Sequence, residues 1–485
     1  MTFIFTLINI NILYAMTFQK QMRFILIVLY LLIGSDVKAA PIPENSESVP
    51  VYNLEQCIEL GLKNNIEILK AQREIERSQG VVITAKSLLY PKVNLAGRLE
   101  TRNDDALSQG NDAKLQRFRD YWTVSLIATQ SLYSGGANRQ QIAIAKLKND
   151  SALVQLRAIS NQVLRNIRYA VYEIIVNQAQ IEAQQKTILL LTQEFSRQQQ
   201  YFDAGKTTRF NVLRTQVGLS NQKAQLLQAQ TQLISSQIAL SQLLNIAWLP
   251  QERRNPPFII KDELSCPPFS DTLPELISLA LNRRPELEVL TKQIEISERQ
   301  LKIDKATNIP RIDAFAGYEV RRDQSESSFD SNVNSGTVGL LGSWNIFDGF
   351  TGRGQAMSTT AQINSARLSL GSTRLQIQND VRDAYERLKT AEQSVQIQGT
   401  NIQTAEDSVR LSRNSADAGY ATLLDVLQAT LDLNTARLEA IRARQRYMKA
   451  LADLQFAISL KFQDQEVALS PPPLVEKNVM PTSTP

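Results

Sequence analysis

The 485-residue chain reads as a mainly α protein with some β, assembled as an internal two-fold repeat. Three observations predict this. First, short motifs recur at a constant spacing. Phe202-Asp203-Ala204-Gly205-Lys206 and Phe210-Asn211-Val212-Leu213 are echoed by Ala416-Asp417-Ala418-Gly419-Tyr420 and Leu424-Asp425-Val426-Leu427. Both echoes lie 214 residues on (419 − 205 and 425 − 211), as does Ile346-Phe347-Asp348-Gly349 after Leu132-Tyr133-Ser134-Gly135. Second, each copy holds a very long proline-free run with sparse apolar stripes, the pattern of coiled-coil helices. Third, after Pro91 and again after Pro310 the apolar period changes from 3.6 to 2, the mark of strands.

Residues 1–40 read as an N-terminal extension and signal peptide. Met22-Arg23 precedes an apolar run, Phe24 to Leu32, and Val37 and Ala39 stand at −3 and −1 if cleavage follows Ala39. That run is short for a membrane anchor, which needs about 20 apolar residues, so export with cleavage is expected. Met1 or Met22 serves as the start. The first repeat, 41–247, opens with helix from Leu54 to Ser87, interrupted near Asn64-Asn65 and stopped by Pro91. Strands follow at about 91–101 and 121–132, with a polar loop between them. Val93, Leu95 and Leu99 alternate with Asn94 and Arg98, and Trp122, Val124 and Leu126 alternate with Thr123 and Ser125. From Ala137 to about Phe202 there is neither proline nor glycine. Roughly 65 helical residues extend on the order of 100 Å. A turn at Gly205 leads to a second helix ending near Leu244.

Residues 248–272, with Pro250, Pro256, Pro257, Pro267 and Pro268, form a linker or equatorial region. The second repeat, 273–469, repeats the plan: helix to Ala306 broken at Arg284-Pro285, a stop at Pro310, and strands at about 311–321 and 337–347. The loop between these strands spans Asp323 to Gly336. A long helix to Asp417, a turn at Gly419 and a last helix complete the repeat. Residues 470–485 are Pro/Ser/Thr-rich and expected to be disordered.

Composition excludes several classes of function. Histidine is absent, which removes Ser-His, Cys-His and His-metal chemistry. The two cysteines, Cys57 and Cys266, lie in different halves and read as inert thiols, with one disulfide left open. The formal charge is only +5, and no basic run suited to nucleic acid occurs. Neither an enzyme nor a cofactor is expected.

The strands have about the length that crosses a bilayer when tilted, and Tyr121, Trp122 and Trp344 sit near strand ends, where interfacial aromatics lie. A hairpin packed on a soluble core is the other reading; strand length, duplication and export favour the membrane. Four strands cannot close a barrel, and an open sheet edge is not tolerated in lipid. Three chains would supply 12 strands and leave room for an aqueous lumen. The polar positions Asn94, Arg98, Thr123 and Ser125 would line it.

The ordered, duplicated set of motifs resembles the TolC family of trimeric outer-membrane channel-tunnels over nearly the whole mature length. The resemblance implies a periplasmic α-barrel below a trimeric 12-stranded β-barrel in the outer membrane of a Gram-negative bacterium. It implies a homotrimer among outer-membrane lipid, docked to a periplasmic adaptor and an inner-membrane transporter of RND or ABC type. The expected function is passive efflux of small molecules. Alternatives are the exit duct of a type I protein secretion system and, in a different class, an exported coiled-coil structural protein without a pore. The resemblance places Gly205 and Gly419 at the periplasmic tip, as interhelical turns and adaptor-docking candidates. Asp425 matches an acidic position ringing the aperture; a helix-N-terminal carboxylate favoured by the dipole is the other reading. Asn211 is its neutral counterpart, and Gln428 stands where a second acidic ring would fall. The Tyr and Arg that lock the entrance in some members correspond to Ala416 and Ala421.

Overall fold

A computed structural model describes residues 50–103, 118–248, 257–322 and 332–459. The expected signal segment, the tail at 470–485 and most of both hairpin loops lie outside the described residues. Local caps set the helix boundaries. Helix α1 (Leu54–Asn64) starts on Asn53, whose side chain accepts from the Gln56 N–H at 2.8 Å while the Gln56 side chain accepts from the Asn53 N–H. It follows a two-residue strand, β1 (Val51–Tyr52). Asn65 then caps α2 (Ile66–Lys86), accepting from the Glu67 N–H at 2.9 Å and donating to the Leu243 carbonyl at 2.8 Å. The expected break at Asn64-Asn65 is therefore a buried corner between two helices.

Both prolines act as expected. Short 3₁₀ turns at Ser87–Leu89 and Ala306–Asn308 end the helical runs. Pro91 precedes β2 (Lys92–Asn103) and Pro310 precedes β5 (Arg311–Arg322), because proline disfavours helix at the residue before it. Strands β3 (Phe118–Tyr133) and β6 (Asn332–Ser343) complete an antiparallel sheet in the order β2-β3-β5-β6. A strand of the linker, β4 (Ile259–Ile260), pairs in parallel with β1.

The strand expected at about 337–347 is displaced to Asn332–Ser343. Residues 332–336, expected in the loop, are Ser/Asn/Gly-rich. They pair with β5 all the same, Asn334 with Val320 and Ser335 with Glu319, because a ladder needs only backbone groups. Residues 344–347 have the right alternation but fall outside β6. The strand expected at 121–132 begins earlier, at Phe118.

Beyond each hairpin the chain becomes helical for 67 residues, in α3 (Ala137–Asp203) and α7 (Thr351–Asp417). Their return partners are α4 (Arg209–Leu244) and α8 (Leu423–Ala457). Helices α5 (Leu273–Arg283) and α6 (Pro285–Lys305) repeat α1 and α2, with Pro285 at the first turn of α6, where its missing N–H costs nothing. The main core joins both halves: Ile167 and Val171 of α3, Leu240 of α4, Leu388 of α7 and Leu454 of α8 are almost wholly buried. A Cβ on Gly61 would stand 2.1 Å from Ile167 Cδ1, so a side chain there would have to displace the buried end of Ile167 where α1 meets α3. Towards the tip the core thins to small clusters such as Leu191, Leu219 and Leu427. That thinning is what paired helices with wet outer faces produce.

Ion pairs bind the halves at the same level. Glu173 of α3 accepts from Lys449 and Gln445 of α8, both at 2.7 Å, and the guanidinium groups of Arg165 (4.4 Å) and Arg284 (5.2 Å) both lie over the Phe456 ring. Cys57 and Cys266 are free thiols. Burial, assisted by the charge of Asp262, pushes Cys57 up to about 12, so the thiol stays protonated and unreactive.

Candidate functional site

Two regions carry the residues singled out in the sequence: the sheet and the helix tip. In the sheet, cross-strand partners share a face. One face carries Leu95 beside Leu126, Leu99 beside Trp122, and Leu126 beside Tyr318. It continues through Val124 beside Val320 and Ala316 beside Val338. Most of these apolar side chains are exposed, Leu99 to 79 % and Val338 to 87 %, with Trp122 and Val320 half-buried. The opposite face carries Arg98 beside Thr123, Ser125 beside Glu319 and Glu319 beside Ser335. The polar residues expected to face a lumen thus lie together on it. Ile127, Phe315 and the exposed Leu341 interrupt that face, the first two lying against glycines: a Cβ built on Gly339 would meet the Phe315 ring at 2.7 Å, and one on Gly317 would meet Ile127 at 3.5 Å.

The two tryptophans mark opposite ends of the sheet. Trp122 lies one residue beyond the Thr123–Arg321 pair, at the level of Arg322 and hence of Asn332. Trp344 follows the other end of β6 and donates its indole N–H to the Asn308 carbonyl at 3.1 Å. Twelve residues (344 − 332) correspond to about 40 Å along a strand, or about 30 Å across a bilayer at the usual tilt. Tyr121 pairs with Glu100 in the ladder, and its side chain lies outside the described residues.

At the tip, both glycines adopt left-handed conformations, φ 71° at Gly205 and 83° at Gly419. The Lys206 N–H reaches the Tyr201 carbonyl at 2.7 Å, and the Tyr420 N–H reaches that of Ser415 at 2.8 Å. Both turns therefore end their helices by the same glycine-dependent motif. Asp425 is exposed and closes a capping box: its Oδ2 accepts from the Thr422 N–H at 2.8 Å and from the Thr422 hydroxyl at 2.7 Å. These bonds, the backbone one foremost, hold its carboxyl below the usual aspartate range. Asn211 has turned the other way, donating to the Thr207 hydroxyl at 2.9 Å. Gln428 donates to Asp432 at 2.9 Å within α8.

One tip feature escaped the sequence reading. Arg197 of α3 reaches across to Asp417 of α7 at 2.7 Å while also pairing with Glu194, itself only 5 % exposed. The only trace in the sequence is that the repeat fails here, since Leu411 stands at the position equivalent to Arg197. Phe210 and Tyr420 are strongly exposed at the same end. No helix among the described residues is long and apolar enough to cross a membrane.

Known proteins share this arrangement. A family model described as outer membrane efflux protein matches residues 57–245 and 276–459. The alkaline protease secretion protein AprF of Pseudomonas aeruginosa is 24 % identical over 405 residues, covering 82 % of each chain. The proteases secretion protein PrtF of Dickeya chrysanthemi is 23 % identical, covering 86 % of this chain and 90 % of its own. Among solved structures, the outer membrane protein VceC of Vibrio cholerae superposes with a TM-score of 0.70 at 19 % identity, over 84 % of this chain and 95 % of its own.

Proposed function

The chain belongs to the outer membrane efflux protein family, and from that premise we propose that three copies form a passive exit duct. The protein is an outer-membrane channel of a Gram-negative bacterium and works in a partnered export system. Four strands per chain give 12 around one barrel, and the long helices continue the lumen into the periplasm. The observation that carries this reading is the two-faced sheet. A largely exposed apolar face requires lipid, and a mainly polar reverse face requires water. A structural coiled-coil protein without a pore would have no use for either.

The duct supplies no energy, so a periplasmic adaptor and an inner-membrane transporter of RND or ABC type complete the system. Small molecules are the proposed cargo. The names of AprF and PrtF favour a second reading, protein export by a type I system. The expected signature of the first is sensitivity to small toxic compounds when the chain is deleted; that of the second is loss of an exoprotein from the medium. The duct itself is tested by planar-bilayer conductance of the purified chain, and absence of stepwise conductance overturns it. At the tip, three copies of Asp425 would attract cations into a narrow lumen. Asp425→Asn is expected to reduce cation preference and block by multivalent cations, with unchanged ion selectivity as the opposing result.

A further inference from the structure

The internal repeat holds in three dimensions. Gln130 Nε2 donates to the Leu89 carbonyl at 2.8 Å, and Trp344, its equivalent 214 residues on, donates to Asn308, the equivalent of Leu89 219 residues on (308 − 89). The glycines at the ends of the hairpins match as well, φ 61° at Gly135 and 66° at Gly349. Within the chain, the halves meet where β3 pairs with β5. The same pair of elements is left unpaired at the sheet's edges, as β6 and β2. Strand β6 runs parallel to β3 and β2 parallel to β5, so β6 of one copy can meet β2 of the next as β3 meets β5.

The intrachain junction therefore serves as a template. Leu126 pairs with Tyr318, and Gln130 pairs with Ala314. Moving the first member forward by 214 and the second back by 219 gives the joint between copies. We infer that β6 closes the barrel on the next copy with Leu340 opposite the partner's Leu99, Trp344 opposite the partner's Leu95 and, past a bulge like that between Ser131 and Tyr133, Phe347 opposite the partner's Val93. This deepens the trimeric-duct reading and rests on it.

Two observations not used in the transfer support the register. The offset could have had either parity, and a shift of one residue would set apolar side chains against the lumen. The transferred register instead matches apolar face to apolar face all along the joint. It also accounts for residues 344–347. Their equivalents, 130–133, are strand in β3, paired with β5 beyond the end of the β2 ladder. In the single chain, 344–347 have no such neighbour, and Trp344, Ile346 and Phe347 are 61 %, 81 % and 72 % exposed. Pairing with the partner's β2 would extend β6 through Phe347. The elbow follows the same rule. Gly135 packs on Ile309, with a Cβ separation of 2.9 Å for a built Cβ, so Gly349 would pack on the partner's Tyr90, which is 66 % exposed in the single chain.

The test is disulfide linking between copies, in a Cys57→Ala, Cys266→Ser background that still conducts. Two double variants probe the two faces: Leu340→Cys with Leu99→Cys, and Ser343→Cys with Ala96→Cys. Two controls shift the register by two residues: Leu340→Cys with Gly97→Cys, and Ser343→Cys with Arg98→Cys. Directly opposed Cβ atoms lie about 4.5–5.5 Å apart and diagonal ones about 7–8 Å, beyond easy disulfide reach. On mild oxidation at least one matched pair is expected to give covalent trimers about tenfold faster than either shifted pair. Equal or faster linking of the shifted pairs, or no linking of matched pairs in a conducting protein, overturns the register and leaves the duct standing. Failure of the natural chain to conduct, together with failure of every pair to link, removes the duct reading as well.

Discussion

Asp425 shows how one side chain can serve a fold and a pore together. Its Oδ2 takes both bonds from Thr422, which leaves Oδ1 outside the capping box while the group remains charged. The sign of its pH dependence follows. A carboxyl held below its unfolded value contributes stability above the ordinary aspartate range and loses it as pH falls through the lowered value. Protection of the amides at the start of α8, relative to intrinsic exchange at the same pH, is therefore expected to fall below about pH 4, whereas protection at the start of α4, capped without a carboxylate, stays level. Gly419 is the second single-residue case. Space around it is open, so only its φ of 83° opposes a side chain. Gly419→Ala should cost about 1 kcal/mol locally, read as faster exchange in the tip turn, and Gly419→Asn should cost less. The glycines, the acidic position and its neutral twin were legible in the sequence, since a turn and an echo are local patterns. The box between Asp425 and Thr422 was legible in principle, as a hydroxyl residue followed three places on by a carboxylate.

Elements were legible wherever their cause was local. The corner at Asn65, the prolines before β2 and β5, and the helices between glycines all follow from residue type within a few positions. The limits of β6 were not, because they depend on what lies beside the strand rather than on its own alternation. The tie between α3 and α7 was equally hidden: Arg197 and Asp417 are 220 residues apart. Its two ends predict unequal losses. Asp417→Asn removes an ion pair that is half exposed on one side, worth a few tenths to about 1 kcal/mol. Arg197→Ala also strips the ionic partner from Glu194, which is buried, and should cost about 1–3 kcal/mol more. A double-mutant cycle followed by thermal unfolding separates the two effects.

At the scale of the molecule, the repeat reveals which surfaces lack a neighbour. Leu213, Ile234 and Ile238 of α4 are 48 %, 44 % and 50 % exposed, while their equivalents in α8, Leu427, Met448 and Ala452, are 8 %, 8 % and 1 %. Helix α8 packs on α3, and α4 awaits the corresponding helix of another copy. Ile234→Glu is expected to leave helix content unchanged while weakening trimers at least about tenfold, equivalent to about 1.4 kcal/mol, as measured by native mass spectrometry in detergent. The need for further copies was legible, since four strands cannot close on themselves, whereas the joints proposed between them rest on the register of the sheet. The Arg197–Asp417 tie then acquires a mechanical meaning. It fastens the two halves of one chain together, whereas the matching position between chains would set Leu411, in place of an arginine, against the partner's Asp203. In a trimer the six similar helix pairs would then be tied in twos, as three staves, with the seams between subunits lacking this tie.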